Sequence, residues 1–350
     1  HTFPETNVSI SYQRIAATTF ALLLVGAQCA RAEVFVTNDP GNTIQVFSRA
    51  ATGSATPLRN ITGLNQPRGI YVDETRGEVY VALVGDAVSV FSISATGAAA
   101  PIRTFTQNNN NSNALGDFQG IHVANDEIFI ANRNGSVTVF PRLTNGSNQS
   151  PTRTIVGAST GLAQSRGVFV SGDELYVAAN SPASIRVFSR TASGDVPALR
   201  VITNTTAPSL GETSQLLVAN NEVTVADFGT NSIKTWPTSA NGNTVSARMI
   251  SGNAPLLVSP RGVAVCSDTN TLVVANRNGN SLNFFPITAS GDVAPSAVIT
   301  GLNGPRFVAC TSDVPTIAAS IPTLAGWGFS SLFLLLGVGA LRALRRRNTQ

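Results

Sequence analysis

The chain repeats a phrase whose clearest copy reads Pro67-Arg68-Gly69-Ile70-Tyr71-Val72, Glu78-Val79-Tyr80-Val81-Ala82, Val88-Ser89-Val90-Phe91 and Pro101-Ile102-Arg103-Thr104-Phe105. Each of the four runs is apolar or alternates apolar with polar residues, as short β-strands do. Counted from Arg68, the phrase starts again after 51, 47, 48 and 47 residues, at Gln119, Arg166, Ser214 and Arg261. Four antiparallel strands in a unit of this length predict one blade of a β-propeller.

Turn residues separate the four runs of each unit. The first turn is predicted at Asp126-Glu127, Asp173-Glu174 and Asn221-Glu222, the second at Asn134-Gly135 and Asn278-Gly279, and the third at Thr96-Gly97, Ser193-Gly194 and Ser290-Gly291. These pairs are hairpin signals between β-rich runs. With only 12% charged residues, the chain has the composition of an all-β extracellular protein.

The two ends of the repeat region complement each other. Three strands precede the first full unit without a first strand of their own: Val34-Phe35-Val36, Ile44-Gln45-Val46-Phe47 and Pro57-Leu58-Arg59-Asn60-Ile61. A lone first strand, Pro305–Cys310, follows the fifth full unit. We therefore predict an all-β, six-bladed β-propeller over residues 33–312, with four-stranded blades and a first blade closed by the C-terminal strand.

Two segments resemble NHL and YVTN-type propeller repeats: Val34-Phe35-Val36-Thr37-Asn38, and Leu272-Val273-Val274-Ala275-Asn276 with Arg277-Asn278-Gly279-Asn280. The resemblance covers about residues 33–312 and implies the fold. It does not select an activity, because such propellers include lactonases, surface proteins and interaction scaffolds. The distinctive Glu, Asn and Asp ligand set of gluconolactonase-like propellers is not found in this sequence.

Residues 1–32 are predicted to be a secretory signal region. Arg14 precedes an apolar stretch from Ile15 to Ala27, and the pair Ala30 and Ala32 offers a cleavage site before the propeller. The thirteen residues before Arg14 are either a fragment artefact or a long n-region.

Residues 313–320 are predicted to be a linker, and a three-part signal follows. Its parts are the motif Ile321, Pro322, Thr323, Leu324, Trp327 and Gly328, an apolar transmembrane helix over about 325–341, and the membrane stop Arg345, Arg346 and Arg347. The arginines favour the cytoplasmic side, which leaves the propeller outside. Taken alone, this order predicts a plain C-terminal anchor.

Residues 321–347 also resemble the IPTL-CTERM sorting domain of Gram-negative bacteria. The resemblance implies that an exosortase-type membrane enzyme recognises the tail and cleaves it near the motif. The chain would then be an inner-membrane-anchored precursor that is delivered to the cell surface or to an extracellular polysaccharide matrix.

The net charge of +4 belongs to the two ends of the chain. The ends hold six of the 23 basic residues and one of the 19 acidic residues: Arg14, Arg31, Arg342, Arg345, Arg346, Arg347 and Glu5. The 17 basic and 18 acidic residues that remain give the middle a charge near −1. This balance argues against nucleic acid as a partner.

Basic residues recur just before the innermost strands. This position is basic in four units and polar in two: Arg68, Arg166, Arg261 and Arg306, then Gln119 and Ser214. These positions ring one mouth of a propeller channel, and the loops after the second strands add Arg133 and Arg277. Clustered guanidinium groups suit a carboxylate, sulfate or phosphate ligand. Alternatively, each arginine pairs with a neighbouring carbonyl or carboxylate and holds the blades together.

The region is poor in catalytic groups, and we predict no catalytic residue, no metal and no cofactor. Its one histidine, His122, aligns with packing positions of the other units and is interpreted as structural rather than as a general base. An Asn or Asp follows the second strand in five units: Asn38, Asn132, Asn180, Asp227 and Asn276. Such oxygens suit a cation, but their recurrence in nearly every blade favours a turn role.

Two further sets receive structural predictions. The outermost strands carry charges that are interpreted as a barrier to pairing with other chains: Arg59, Arg103, Arg153, Arg200 and Arg248. Cys266 and Cys310 lie near the ends of innermost strands in adjacent blades. In an exported protein they form a disulfide or remain two buried thiols.

These observations predict an exported binding protein at the cell surface or in the matrix, with an acidic polysaccharide or a surface protein as its ligand. One alternative is a hydrolase or lactonase that works in the channel mouth and needs a divalent cation. The other is a purely structural matrix protein without saturable ligand binding.

Overall fold

In the computed structural model, residues 32–107 and 116–312 are described, and they form six sheets around a channel, each built on four antiparallel strands. Helix in these ranges amounts to one short 3-10 turn, Ala158–Thr160. None of their helices is long and apolar enough to cross a membrane. The predicted signal region before Ala32, the linker after Ser312, the sorting motif and the transmembrane helix lie outside the described residues.

The strands of the first three blades, in chain order, are β1 (Glu33–Asn38), β2 (Thr43–Ser48), β3 (Arg59–Ile61), β4 (Pro67–Asp73), β5 (Glu78–Leu83), β6 (Ala87–Ser92), β7 (Arg103–Gln107), β8 (Phe118–Ala124), β9 (Glu127–Asn132), β10 (Ser136–Pro141), β11 (Gly146–Gln149) and β12 (Arg153–Ile155).

The remaining strands are β13 (Gly167–Ser171), β14 (Glu174–Asn180), β15 (Ala183–Ser189), β16 (Arg200–Thr203), β17 (Thr213–Ala219), β18 (Glu222–Asp227), β19 (Ser232–Pro237), β20 (Gly242–Asn243), β21 (Arg248–Ile250), β22 (Pro260–Cys266), β23 (Thr271–Asn276), β24 (Ser281–Pro286), β25 (Ala297–Thr300) and β26 (Pro305–Cys310). Blade 1 combines β26 with β1, β2 and β3, and blades 2 to 6 begin with β4, β8, β13, β17 and β22.

The core lies between the blades. Second strands such as β1 and β5 are buried along their whole length, because both faces of each sheet are covered by a neighbouring sheet. One hydrophobic cluster, for example, joins Phe35 and Ile44 of blade 1 to Ile70 and Val79 of blade 2. Burial of this apolar surface between neighbouring sheets supplies the main stabilisation of the ring.

The closing strand supports the predicted composite blade. β26 pairs antiparallel with β1, from Val34 opposite Cys310 to Asn38 opposite Pro305. The structure also joins Cys310 to Cys266 of blade 6 as a disulfide, with 5.3 Å between their Cα atoms. The ring is therefore closed by a β-ladder on one side of β26 and by a covalent bond on the other.

The loops between third and fourth strands join neighbouring blades, a role that the sequence did not indicate. In all six blades a glycine of this loop pairs in parallel with the outermost strand of the preceding blade: Gly53, Gly97, Gly146, Gly194, Gly242 and Gly291. The N–H of Gly97, for example, donates to the carbonyl of Asn60 at 2.7 Å. Each outer edge is thus partly covered, which limits its pairing with other chains.

The first turns lie one residue earlier than predicted. In Asn125-Asp126, φ is 51° and 59°, and in Asn220-Asn221 it is 52° and 59°, as tight hairpin turns require. Glu127 therefore belongs to β9 and not to the turn.

The interpretation of the outer arginines as edge charges is wrong. Each binds the glutamate that opens the second strand of its own blade: Arg59 with Glu33, Arg103 with Glu78, Arg153 with Glu127, Arg200 with Glu174, and Arg248 with Glu222. Nη2 of Arg59 also donates to the carbonyl of Ile93 in the next blade, at 3.0 Å. These side chains hold strands together, and their exposed fractions lie between 14% and 23%.

Candidate binding site at the arginine mouth

The four ring arginines lie at one end of the channel. Arg68, Arg261 and Arg306 are the second residues of β4, β22 and β26, and Arg166 directly precedes β13. β-Bulges interrupt β4 and β22 at this point, and a bulge changes the direction of nearby side chains. We call this end the arginine mouth, defined by the six residues Arg68, Arg133, Arg166, Arg261, Arg277 and Arg306. The opposite end, which carries the first turns, is the turn face.

Glycines allow the innermost strands to approach closely just below the arginine mouth. A Cβ atom on Gly69, Gly120, Gly167 or Gly262 would collide with the carbonyl oxygen of the neighbouring inner strand. Blades 5 and 1 carry Gln215 and Phe307 in the equivalent position.

Two ring arginines are held by carboxylates. Nη1 of Arg68 donates to Asp117 and, at 2.9 Å, to the carbonyl of Phe118. Nη1 of Arg306 donates to Asp39, and its Nη2 donates across the channel to Oε1 of Gln119 at 2.5 Å. At these two positions the structure has the blade-linking contacts that the sequence left open as an alternative.

The other two ring arginines share one aromatic ring. The guanidinium carbons of Arg261 and Arg166 lie 3.4 and 5.1 Å from the ring centre of Phe228, in the loop after β18. Contact with an aromatic face orients a guanidinium group without neutralising it. Arg166 approaches Glu212 only to 4.0 Å, and among the described residues no carboxylate lies within ion-pair distance of Arg261.

Positive charge is in excess at the arginine mouth. Three carboxylates face its six guanidinium groups: Asp39, Asp117 and Glu212. Burial, together with the nearby charges of Arg166 and Arg306, lowers the pKa of Arg261 to about 9. Burial likewise lowers the pKa of Arg306 to about 10. A pKa lowered by burial and like charges marks a cation that an incoming anion would stabilise.

The two remaining arginines form the open rim. Arg133 and Arg277 lie 3.8 Å from Asp117 and Asp39, carboxylates that already bind ring arginines. Their side chains are 50% and 34% exposed, so they are accessible to a ligand approaching the mouth.

Gln215 separates the arginine mouth from the rest of the channel. From blade 5, its Nε2 donates to the carbonyl of Val308 at 2.9 Å. Its Oε1 accepts from the main-chain N–H groups of Val263 at 3.1 Å and Val308 at 3.0 Å. The side chain thus reaches the inner strands of blades 6 and 1 directly beneath the arginine layer.

Below Gln215 the channel contains a cavity of about 270 Å³. Its wall includes Tyr71, His122 and Phe169 of three successive blades, whose rings lie 4.8 and 4.3 Å apart between centroids. His122 is buried, as predicted for a packing position, and burial lowers its pKa to about 3. It therefore stays neutral at physiological pH.

The recurrent Asn and Asp residues are the last residues of the second strands, and they bond to neighbouring protein groups. Nδ2 of Asn132 donates to Thr138 Oγ1 at 3.2 Å, and Asp227 forms a buried ion pair with Lys234 at 2.5 Å. In the part of the chain that the structure describes, no group of three or more His, Cys, Asp or Glu side chains is arranged to hold a metal ion.

The sheets and the channel define the chain as a six-bladed β-propeller. No family model and no curated protein sequence matches it. Among solved structures, the WD40 β-propeller domain of Doa1 is 10% identical, with 77% of this chain and 79% of that chain covered and a TM-score of 0.52. A nidogen–laminin complex is 14% identical, with 80% and 98% covered and a TM-score of 0.58.

A functionally unknown protein from Desulfotomaculum acetoxidans DSM 771 is 12% identical, with 80% of this chain and 99% of that chain covered and a TM-score of 0.54. At such identities these similarities establish the propeller fold alone.

Sequence reasoning missed five contributors to the site: Phe228, Gln215 and the carboxylates of Asp39, Asp117 and Glu212. Asp39 and Phe228 directly follow the recurrent Asn or Asp of their blades, a position that Arg133 and Arg277 hold elsewhere. Aligning the residue that follows the recurrent Asn or Asp across the blades would have indicated Asp39 and Phe228 together with Arg133 and Arg277. The only sign of Gln215 in the sequence is that a glutamine stands at a position where other blades have glycine.

Proposed function

We propose that this protein is an exported binding protein whose arginine mouth takes an acidic glycan. The observation that carries the proposal is the group of Arg166, Phe228 and Arg261, in which two guanidinium groups are oriented by one ring while carboxylates leave them largely unneutralised. Guanidinium forks bind carboxylate and sulfate groups in bidentate fashion. Arg133 and Arg277 on the rim extend the same chemistry to further acidic groups along a polymer.

The positions of the two ends of the propeller support a binding site that faces away from the point of attachment. Main-chain N–H of Glu33 donates to Thr311 Oγ1 at 2.9 Å, and N–H of Ser312 donates to Glu74 of a first turn at 3.0 Å. Both ends of the propeller therefore lie at the turn face. A tether at either end would leave the arginine mouth directed away from the surface to which the protein is attached.

Glycan binding can be tested with polygalacturonate, dextran sulfate and neutral dextran as probes. We expect saturable, salt-sensitive binding of the acidic polymers, and at least a tenfold weaker binding for Arg166→Ala/Arg261→Ala. Arg49→Ala is the matched control, because Arg49 pairs with Asp268 at the turn face. Absence of binding, or an equal loss in the control, would overturn the proposal.

The tail belongs to the same proposal as a sorting signal that an exosortase-type enzyme cleaves. Its support is the order of motif, apolar span and basic stop at residues 321–347. The test is expression of the full chain in a Gram-negative host that encodes such an enzyme, with immunoblots of membrane and surface fractions. Pro322→Ala/Trp327→Ala should accumulate as an uncleaved membrane form, and processing identical to that of the wild type would contradict the assignment.

We propose binding rather than catalysis at the mouth. The arginines there are engaged with carboxylates, carbonyl oxygens or an aromatic ring. A lactonase in this channel would lose activity with a chelator, so lactone hydrolysis that EDTA abolishes would favour the alternative instead.

A further inference from the structure

We infer a second binding site, independent of the arginine mouth: the cavity below Gln215 takes an uncharged, bicyclic heteroaromatic molecule. Inner strands of all six blades contribute to its wall. The site lies toward the turn face, and Gln215 stands between it and the arginine layer.

The wall is apolar and carries no charge. None of its residues is Asp, Glu, Lys or Arg, and most are Val, Ile, Leu, Ala or Phe. A charged ligand would lose its hydration here without gaining a partner, whereas an apolar ring would leave water favourably. The ligand is therefore neutral and mainly apolar.

The imidazole of His122 is a polar group in the wall that remains available. Neither ring nitrogen of His122 takes part in a hydrogen bond within the described ranges, and neither is among the fully enclosed unpaired atoms. A neutral imidazole offers one donor and one acceptor. The flanking rings of Tyr71 and Phe169 extend this group into an aromatic wall, which favours a planar ligand with a ring N–H or ring nitrogen.

The volume of the cavity limits the number of fused rings that the ligand can have. An engineered apolar cavity of about 150 Å³ binds benzene. The cavity here measures about 270 Å³, which leaves room for a second fused ring. An indole-sized molecule meets the requirements of volume, neutrality and one polar edge.

The experiment uses indole as the probe and naphthalene as its apolar analogue, with the full chain labelled with ¹⁵N-histidine. Produced without export, so that the predicted signal region is retained, the chain has two histidines, and the His122 signal is observed with His1 as an internal reference. We expect indole to shift the His122 signal saturably and to leave His1 unchanged. Naphthalene should bind at least fivefold more weakly, because it cannot bond the imidazole.

Two variants fill the cavity from different blades, Ala264→Phe and Ala309→Leu. Each should weaken indole binding at least tenfold by calorimetry, whereas the exposed control Ala100→Phe should bind as the wild type does. His122→Phe should retain binding but lose the preference for indole over naphthalene.

Three results would overturn the inference: no shift of the His122 signal at any indole concentration, unchanged affinity in a folded cavity-filling variant, or a preference for indole that survives His122→Phe. The labelled wild-type titration decides the matter even if both filling variants fail to fold. Glycan binding at the arginine mouth should be unaffected by all of these variants.

Discussion

Glu174 and Arg200 lie 26 residues apart and form a two-bond ion pair, with Nη1 to Oε1 at 2.5 Å and Nη2 to Oε2 at 2.8 Å. The same pairing links the outermost strand to the start of the second strand in five of the six blades. Blade 6 departs from it, because Thr271 and Ala297 hold the two equivalent positions at the same spacing.

Introducing the pair into blade 6 should therefore stabilise the protein. We expect Thr271→Glu/Ala297→Arg to raise the free energy of unfolding by about 1 kcal/mol, since such partly exposed pairs contribute little more. Conversely, Arg200→Ala should lower it by about 1–2 kcal/mol. Urea denaturation of the double variant and of each single variant measures the coupling, and additive single effects would contradict it.

The ion pair between Lys234 and Asp227 is fully buried, and breaking it should be costly. Nζ of Lys234 also donates to Thr230 at 2.7 Å and to the carbonyl of Ser209 at 2.9 Å. Lys234→Met leaves the Asp227 carboxylate buried without its cation, so we expect a loss of roughly 3–5 kcal/mol in denaturant unfolding.

A matched control comes from blade 3, where Asn132 and Thr138 hold the positions of Asp227 and Lys234. Asp227→Asn/Lys234→Thr copies this neutral pair and should lose much less stability than Lys234→Met. Equal losses in the two variants would contradict the large cost assigned to the unpaired carboxylate.

His122 should make the protein more sensitive to acid. Its pKa is lowered to about 3 by burial, whereas in the unfolded chain it is about 6.5. Between these values the unfolded state binds the additional proton, so the free energy of unfolding falls as pH falls below about 6.5, by at most about 1.4 kcal/mol per pH unit.

Denaturation at several pH values checks this dependence. The cavity below Gln215 holds no charged side chain, but His122 also borders a pocket lined by Asp73, Glu74, Arg76 and Asp126, and burial raises the pKa of its neighbour Tyr71. Because burial lowers the pKa of His122, the free energy of unfolding of the wild type should fall from pH 6 to pH 4 relative to that of His122→Phe. A constant difference over this range would exclude a neutral buried imidazole.

The disulfide between Cys266 and Cys310 should contribute to stability because it restricts the unfolded chain. The two residues are separated by 44 positions, and loops of that size correspond to roughly 2–4 kcal/mol. Dithiothreitol should lower the melting temperature of the wild type, and Cys266→Ser/Cys310→Ser should melt at that lower temperature with or without it. A reductant effect that persists in the double variant would point to another cause.

The six blades and the composite first blade were predictable because the repeat recurs every 47 to 51 residues and the end segments complement each other. The Glu–Arg pairs were not predicted, although their constant spacing of 26 residues was present in the sequence. Arginines in edge strands have two physical explanations, and only the position of the partner decides between them.

The site was predictable in its positions but not in its charge balance. The repeat placed Arg68, Arg166, Arg261 and Arg306 around one mouth. It did not show that Asp117 and Asp39 neutralise two of them while Phe228 orients the others. Such contacts come from single residues in different blades, and the residue type at the shared position after the recurrent Asn or Asp changes from blade to blade.

Because β26 comes from the end of the propeller region, the first blade is completed only after the other blades have been synthesised. A chain that emerges with its N-terminus first presents β1 with an unpaired inner edge until residues 305–310 have followed. During that interval the edge could pair with other chains, as exposed strands do. During synthesis the ring therefore closes late, and truncation before residue 305 would leave an open, aggregation-prone molecule rather than a smaller propeller.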